Sequence, residues 1–216
     1  MGAEVTPYYS DDAVTIYHGD CREILPILDL DVIVTDPPYG ISIVSSNGTI
    51  GGVNQATVRS YAPVTGDTEP LDPCWLTEYG RRQVIFGMEH FVAWPGPGRA
   101  LVWEKRWLKS NKFGDAELAW DSERGATRLI RHLSNGFWTD WGDIDKCHPT
   151  QKPLGVMRWI IEECSEKGDT VCDPFMGSGT TLRAAKDYNR KAIGIDIEES
   201  YCEIAADRMA QEVLAL

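Results

Sequence analysis

Basic residues are scarce in this chain: Lys and Arg number 21 against 33 Asp and Glu in 216 residues, for a formal net charge of −12. The overall field therefore repels polyanions, because neutralising phosphates relies on Lys and Arg. Long apolar runs are missing too. No stretch reaches membrane-spanning length, and the N-terminus, MGAEVTPYYSDD, lacks a basic start followed by an apolar core. These absences predict a soluble, cytoplasmic protein with no membrane contact. Paired cysteines are also absent: Cys21, Cys74, Cys147, Cys164, Cys172 and Cys202 show neither CxxC pairing nor the His/Cys spacing of a zinc site. They read as reduced core or cap residues, and no metal is expected. The length suits one domain with a sizeable core and is short for two.

The most informative stretch that is present is 170–196, TVCDPFMGSGTTLRAAKDYNRKAIGID. A short apolar run leads to Asp173, Gly177 and Gly179 supply a turn of little bulk, and 180–186 has the spacing of a helix packed on a sheet. This is half of a nucleotide-binding βαβ unit, and Asp196, at the end of its second strand, sits where a ribose hydroxyl pair is usually held. A phosphate-cradling loop would need Lys after the last Gly; Thr180 and Thr181 stand there instead, which argues against a triphosphate. Alone, the stretch fits a tight βα turn in any α/β domain equally well.

A second signal is DVIVTDPPYG at 31–40, an apolar strand running into Asp36, Pro37, Pro38 and Tyr39. With DPFMGSGTT at 173–181 and HPTQKP at 148–153, it resembles the amino-group DNA methyltransferases that use S-adenosylmethionine. The catalytic motif precedes the cofactor motif, which resembles the permuted β group. The resemblance implies an α/β fold: a single Rossmann-like domain over 1–216 whose mostly parallel central sheet carries helices on both faces, in circularly permuted motif order. Within it a catalytic half (1–104), a small target-recognition segment (105–147) and a cofactor half (148–216) are expected.

The same resemblance implies site residues. Asp36, Pro37, Pro38 and Tyr39 would be catalytic. Asp20 and Cys21, in the turn after a strand at 14–17, would meet the adenine of the cofactor; Asp20 also suits a helix N-cap. Thr150 and Lys152 would contact the cofactor carboxylate, and Asp173 its ammonium group. Phe175, Gly177, Ser178, Gly179 and Thr180 would complete the cofactor site, with Asp196 or Glu198 on the ribose. His148 reads as structural rather than as a general base.

Charge distribution offers a candidate DNA surface. Residues 1–98 carry 4 basic and 13 acidic side chains, 99–135 carry 8 and 5, and 136–216 carry 9 and 15. Only the middle is basic, and there Trp103, Lys105, Arg106, Trp107, Lys109, Lys112 and Phe113 interleave cations with aromatics, as suits nucleic acid. Lys105, Arg106, Lys109 and Lys112 are the candidate phosphate contacts, although a solvated charge run is the plainer reading; Trp103 reads as core. Between the motifs, 41–66 is a long loop rich in Gly, Ser, Thr and Asn, with the length of a functional lid. Helices are expected at 71–82, 88–94, 153–165 and 199–213, and strands at 83–87, 99–104, 116–120 and 126–133.

These readings converge on methyl transfer from S-adenosylmethionine to the N6 of an adenine flipped out of double-stranded DNA. N4 of cytosine is the alternative, for which Ser in place of Asp36 is the commoner form; a catalytically silent nucleic-acid-binding relative is another. The recognition sequence, a partner nuclease and a homodimer are left open by the sequence.

Overall fold

The computed structural model describes residues 5–42, 64–69, 72–105, 114–133 and 151–211. Among the described residues nine strands form one sheet: β1 (Tyr9–Ser10), β2 (Val14–His18), β3 (Val32–Thr35), β4 (Arg82–Phe86), β5 (Arg99–Glu104), β6 (Ala116–Asp121), β7 (Arg128–Arg131), β8 (Thr170–Asp173) and β9 (Lys191–Asp196), in the spatial order β1-β2-β9-β8-β3-β4-β6-β5-β7. β2, β9, β8, β3 and β4 run parallel, and β6 is antiparallel to both β4 and β5. The helices are α1 (Cys21–Ile24), α2 (Leu154–Cys164), α3 (Thr180–Asp187) and α4 (Glu199–Ala210). No described helix is long and apolar enough to cross a membrane.

The central strands are buried on both faces, and β3 is inaccessible along its whole length. This is why 32–34 reads as an unbroken apolar run rather than an alternation. Successive side chains still divide between two layers. Val32 and Val34 join Val84, Phe86, Met157, Ile160 and Leu182 under the helices α2–α4, while Ile33 joins Ile24, Leu25, Leu76, Ile85 and Trp120 on the other face. Four of the cysteines are core residues (Cys21, Cys164, Cys172, Cys202), and Cys74 is half-buried; all five are free thiols.

Most expected elements are present within a residue or two, and the differences have local causes. The helix expected over 71–82 is a 3-10 turn, Pro73–Glu78, capped by Asp72. It stops before Gly80, whose φ of +67° leaves the helical region and whose hydrogen lies against the backbone of Asp31. The helix expected at 88–94 is one 3-10 turn, Met88–His90, entered through Gly87 in the left-handed conformation. Strands β6 and β7 lie inside the segment 105–147 read as a recognition region, yet they are part of the central sheet: Ala119 and Trp120 are core residues. The lid expected at 41–66 falls largely outside the described residues.

The topology brings one edge of the sheet to a focus. The parallel strands β9 and β8 end at Asp196 and Asp173, Asp20 and Asp36 follow the ends of β2 and β3, and Glu117 is the second residue of β6. Ligands of doubly wound sheets bind at this carboxyl edge.

Candidate active site

A cavity of about 450 Å³ opens at this edge. Its lining includes Asp20, Cys21, Asp36, Pro37, Pro38, Tyr39, Lys152, Asp173, Phe175, Gly177, Ser178, Thr180 and Asp196. The structure thus gathers nearly all the residues expected at the site into one cavity, although they come from distant parts of the chain. Gly179 lies behind it rather than in its wall. Its φ is +76°, and a Cβ there would sit 2.9 Å from the Ala205 Cβ on α4, so glycine is required for helix packing. Thr150, Arg106, Lys109 and Lys112 lie outside the described residues, as does His148.

On the glycine-turn side the acids are held by neutral donors. Asp173, 3% exposed, accepts from the Thr35 hydroxyl at 2.7 Å, the Thr181 hydroxyl at 2.5 Å and the Phe175 N–H at 3.1 Å. Burial pushes its pKa up to about 6, against the pull of those hydrogen bonds. Asp196 accepts from the Gly177 and Glu198 N–H groups, both at 2.9 Å, and burial raises its pKa as well. Glu198 accepts from the Thr65 hydroxyl at 2.6 Å and also lines the cavity. Asp20 caps α1 by accepting from the Arg22 N–H at 2.8 Å, and it also lines the cavity. The Arg22 guanidinium lies 4.4 Å from the centre of the Trp75 ring, and both residues line the same cavity.

On the Asp36 side the acids are paired with lysines. Lys152 donates to Asp36 Oδ2, the Tyr39 hydroxyl donates to Asp36 Oδ1, and Lys152 Nζ lies 3.4 Å from the Tyr39 oxygen. Burial raises the Asp36 pKa, with Lys152 pulling it down and Glu117 pushing it up. Glu117 sits 3.2 Å from Lys152 and 2.7 Å from Lys105. Its own burial would raise its pKa, but the two ammonium groups hold it down to about 2. The Tyr39 ring stacks on His90 at 5.0 Å between centroids.

Two expectations change here. Lys152 was expected on the cofactor carboxylate; in this structure its ammonium group is committed to Asp36 and Glu117. Lys105 was expected to meet DNA phosphates. It is 6% exposed and ion-paired to Glu117, because β5 turns it inward at the strand end.

Sequence reasoning missed three supporting residues. Thr35 precedes the Asp-Pro-Pro-Tyr motif and ties it to Asp173. Asp67 accepts from the Gly40 and Ile41 N–H groups at 2.8 and 3.1 Å and so fixes the exit from the Asp-Pro-Pro-Tyr turn. Glu117 bridges the two lysines. The first could have been sought as a polar residue at the end of an apolar strand; the other two leave no local signal.

The chemistry of this cavity sets the class. An Asp-Pro-Pro-Tyr turn beside a glycine turn and a row of acids at the carboxyl edge of a parallel sheet fits an α/β enzyme whose ligand carries positive charge. Similarity to known proteins then gives the family. A family model described as DNA methylase matches residues 102–207. The chain is 48% identical over 254 residues to the type II methyltransferase M2.LlaDCHI of Lactococcus lactis subsp. cremoris, covering 94% of this chain and 91% of that one. It is also 48% identical over 225 residues to M.HpaI of Haemophilus parainfluenzae, covering 85% and 69%. The crystal structure of an M1.HpyAVI–SAM complex superposes with a TM-score of 0.59 at 26% identity, covering 90% of this chain and 99% of that one. The chain belongs to the S-adenosylmethionine-dependent amino DNA methyltransferases, which act on N6 of adenine or N4 of cytosine.

The residues present fit that cofactor. It bears positive charge at the sulfonium and the ammonium, which its single carboxylate only half offsets, and the cavity offers Asp20, Asp173, Asp196 and Glu198, with neutral donors on Asp173 and Asp196.

Proposed function

We propose that this protein methylates the exocyclic N6 of adenine, in a specific sequence of double-stranded DNA, on a base turned out of the helix. The observation that carries this reading is Asp36, with its carboxylate in the same cavity as the glycine turn. Aspartate at this position favours adenine within the resemblance drawn from the sequence.

S-adenosylmethionine supplies an electrophilic methyl group on a sulfonium centre. The chain's own task is to make a poor nucleophile competent, since the amino nitrogen's lone pair is delocalised into the base. Asp36 and the Pro37 carbonyl accept the two N–H bonds, which draws the nitrogen toward a tetrahedral geometry and frees its lone pair. Consecutive prolines stiffen the turn and present carbonyls without competing N–H groups. The Asp36 carboxylate has lone pairs beyond those used by Tyr39 and Lys152, so it accepts a further N–H without losing either. Tyr39, backed by His90, stacks on the base with its other face. Asp173 receives the ammonium, and Asp196 with Glu198 the ribose. Positioning and a prearranged field then provide the acceleration.

Supplying mixed-sequence DNA with labelled S-adenosylmethionine and mapping the label tests this reading. Label on adenine N6 in one sequence context is expected; label on cytosine N4 would overturn the choice of base, and cofactor binding without transfer would make the protein a silent relative.

A further inference from the structure

Four charged side chains close on one another where β3, β5 and β6 meet the segment leading into α2. Lys152 bonds Asp36 and stands 3.2 Å from Glu117, which stands 2.7 Å from Lys105. The two lysines are 8% and 6% exposed. Charges buried this far are costly unless paired, and here two carboxylates meet two ammonium groups. Neutralising Asp36 alone needs only Lys152, so the second pair is surplus to that task. Its geometric effect is to divide Lys152 between two anions, one on the catalytic turn and one on β6.

We infer that Glu117 is a positioning residue for methyl transfer: backed by Lys105, it holds the Lys152 ammonium between two carboxylates, so that Asp36 is oriented by the lysine and still accepts strongly from the substrate amino group. A lysine owned by Asp36 alone would spend more of the carboxylate's acceptor strength. A lysine removed altogether would leave the carboxylate free to turn, with only Tyr39 to hold it. The inference rests on the proposed role of Asp36 as amino-group acceptor. The groups acting on Asp36 are Lys152, Glu117 and Tyr39, with Asp173 on the neighbouring strand and Lys105 behind Glu117.

The test is the pH profile of kcat for methyl transfer by the full chain, with S-adenosylmethionine and mixed-sequence DNA. Glu117→Gln removes a like charge from the neighbourhood of Asp36, so the acid limb should move about one pH unit lower. With acceptor strength lost, kcat should fall on the order of tenfold, while cofactor affinity is kept. Lys152→Met should move the same limb upward. An unmoved limb in Glu117→Gln, with or without a loss of thermal stability, overturns the inference and leaves Glu117 a structural counter-ion. Should that variant fail to fold, Lys105→Met combined with Glu117→Gln restores the charge balance and must still show a lowered limb, by a smaller step because a cation is lost with the anion. Asp36→Ala with undiminished activity would instead overturn the underlying reading, a result distinguishable from the others.

Discussion

The two ends of the cavity satisfy their buried acids differently. At the glycine turn, Asp173 and Asp196 are held by hydroxyls and backbone N–H groups, which leave each negative charge uncancelled. At the Asp-Pro-Pro-Tyr turn, Asp36 and Glu117 are held by lysines, which cancel it. Under the proposed function, the difference matches the two ligands. A cationic cofactor is drawn to uncancelled carboxylates, while a neutral amino group needs an acceptor of fixed direction in a region without net charge. One sheet edge thus carries two electrostatic environments, set by which donors the neighbouring elements supply.

The sharpest way to break this comparison is to remove one acid from each end. Asp36→Ala is expected to lower methyl transfer on the order of 10³-fold, the scale of losing a prearranged electrostatic contact at the reacting atom, with cofactor affinity little changed. Calorimetric titration with S-adenosylmethionine beside a transfer assay checks both halves. If Asp36→Ala loses cofactor affinity and Asp173→Ala keeps it, the assignments are reversed.

Asp173→Asn should weaken cofactor binding by about 10- to 100-fold, as expected for a charge-assisted contact. The pH dependence sharpens the point. The folded Asp173 carboxyl holds its proton up to about pH 6, against an ordinary value of 3.8. Between those values the folded state binds more protons than the unfolded one, so this group's contribution to stability falls as pH rises through the window. Cofactor affinity runs the opposite way: it should rise as pH increases through about 6, because the cation needs the ionised form. Titrations between pH 5 and pH 8 should show this slope in the natural chain and lose it in Asp173→Asn.

Gly179→Ala should lower stability by about 1–3 kcal/mol, through a left-handed backbone and a crowded Cβ, and appear as a reduced Tm. Weakened cofactor binding at unchanged Tm would place Gly179 in the wall of the cavity after all.

The smallest expected effect concerns DNA. Replacing Arg106, Lys109 and Lys112 by Ala should flatten the salt dependence of DNA binding, each phosphate contact contributing about 0.9 to the log–log slope. Lys105 is left out of this set because it faces Glu117. An unchanged slope would move the interface to other cations, Arg59 and the half-exposed Arg81 among them.

The motifs at 31–40 and 173–181 were legible because their chemistry is local. Prolines, glycines and a strand-end aspartate dictate turns within a few residues, and the apolar runs before them dictate buried strands. The order of those elements also carried the fold class and brought Asp20, Asp36, Asp173 and Asp196 to one edge. Helices read from composition at 71–82 and 88–94 failed where Gly80 and Gly87 meet the backbone of Asp31 and the ring of Tyr39, neighbours that no local window contains.

What the amino-acid order determined by itself was therefore the set of strands and turns and the acids they end in. The partners of those acids were decided by the tertiary structure. Lys152 reaches Asp36 across 116 positions and Thr35 reaches Asp173 across 138. Lys105, one of several similar cations in a basic stretch, was drawn to Glu117 only because β5 and β6 lie side by side. Side-chain type is written in the chain, but the field at a carboxylate depends on what surrounds it in space, and that exists only once the sheet has closed.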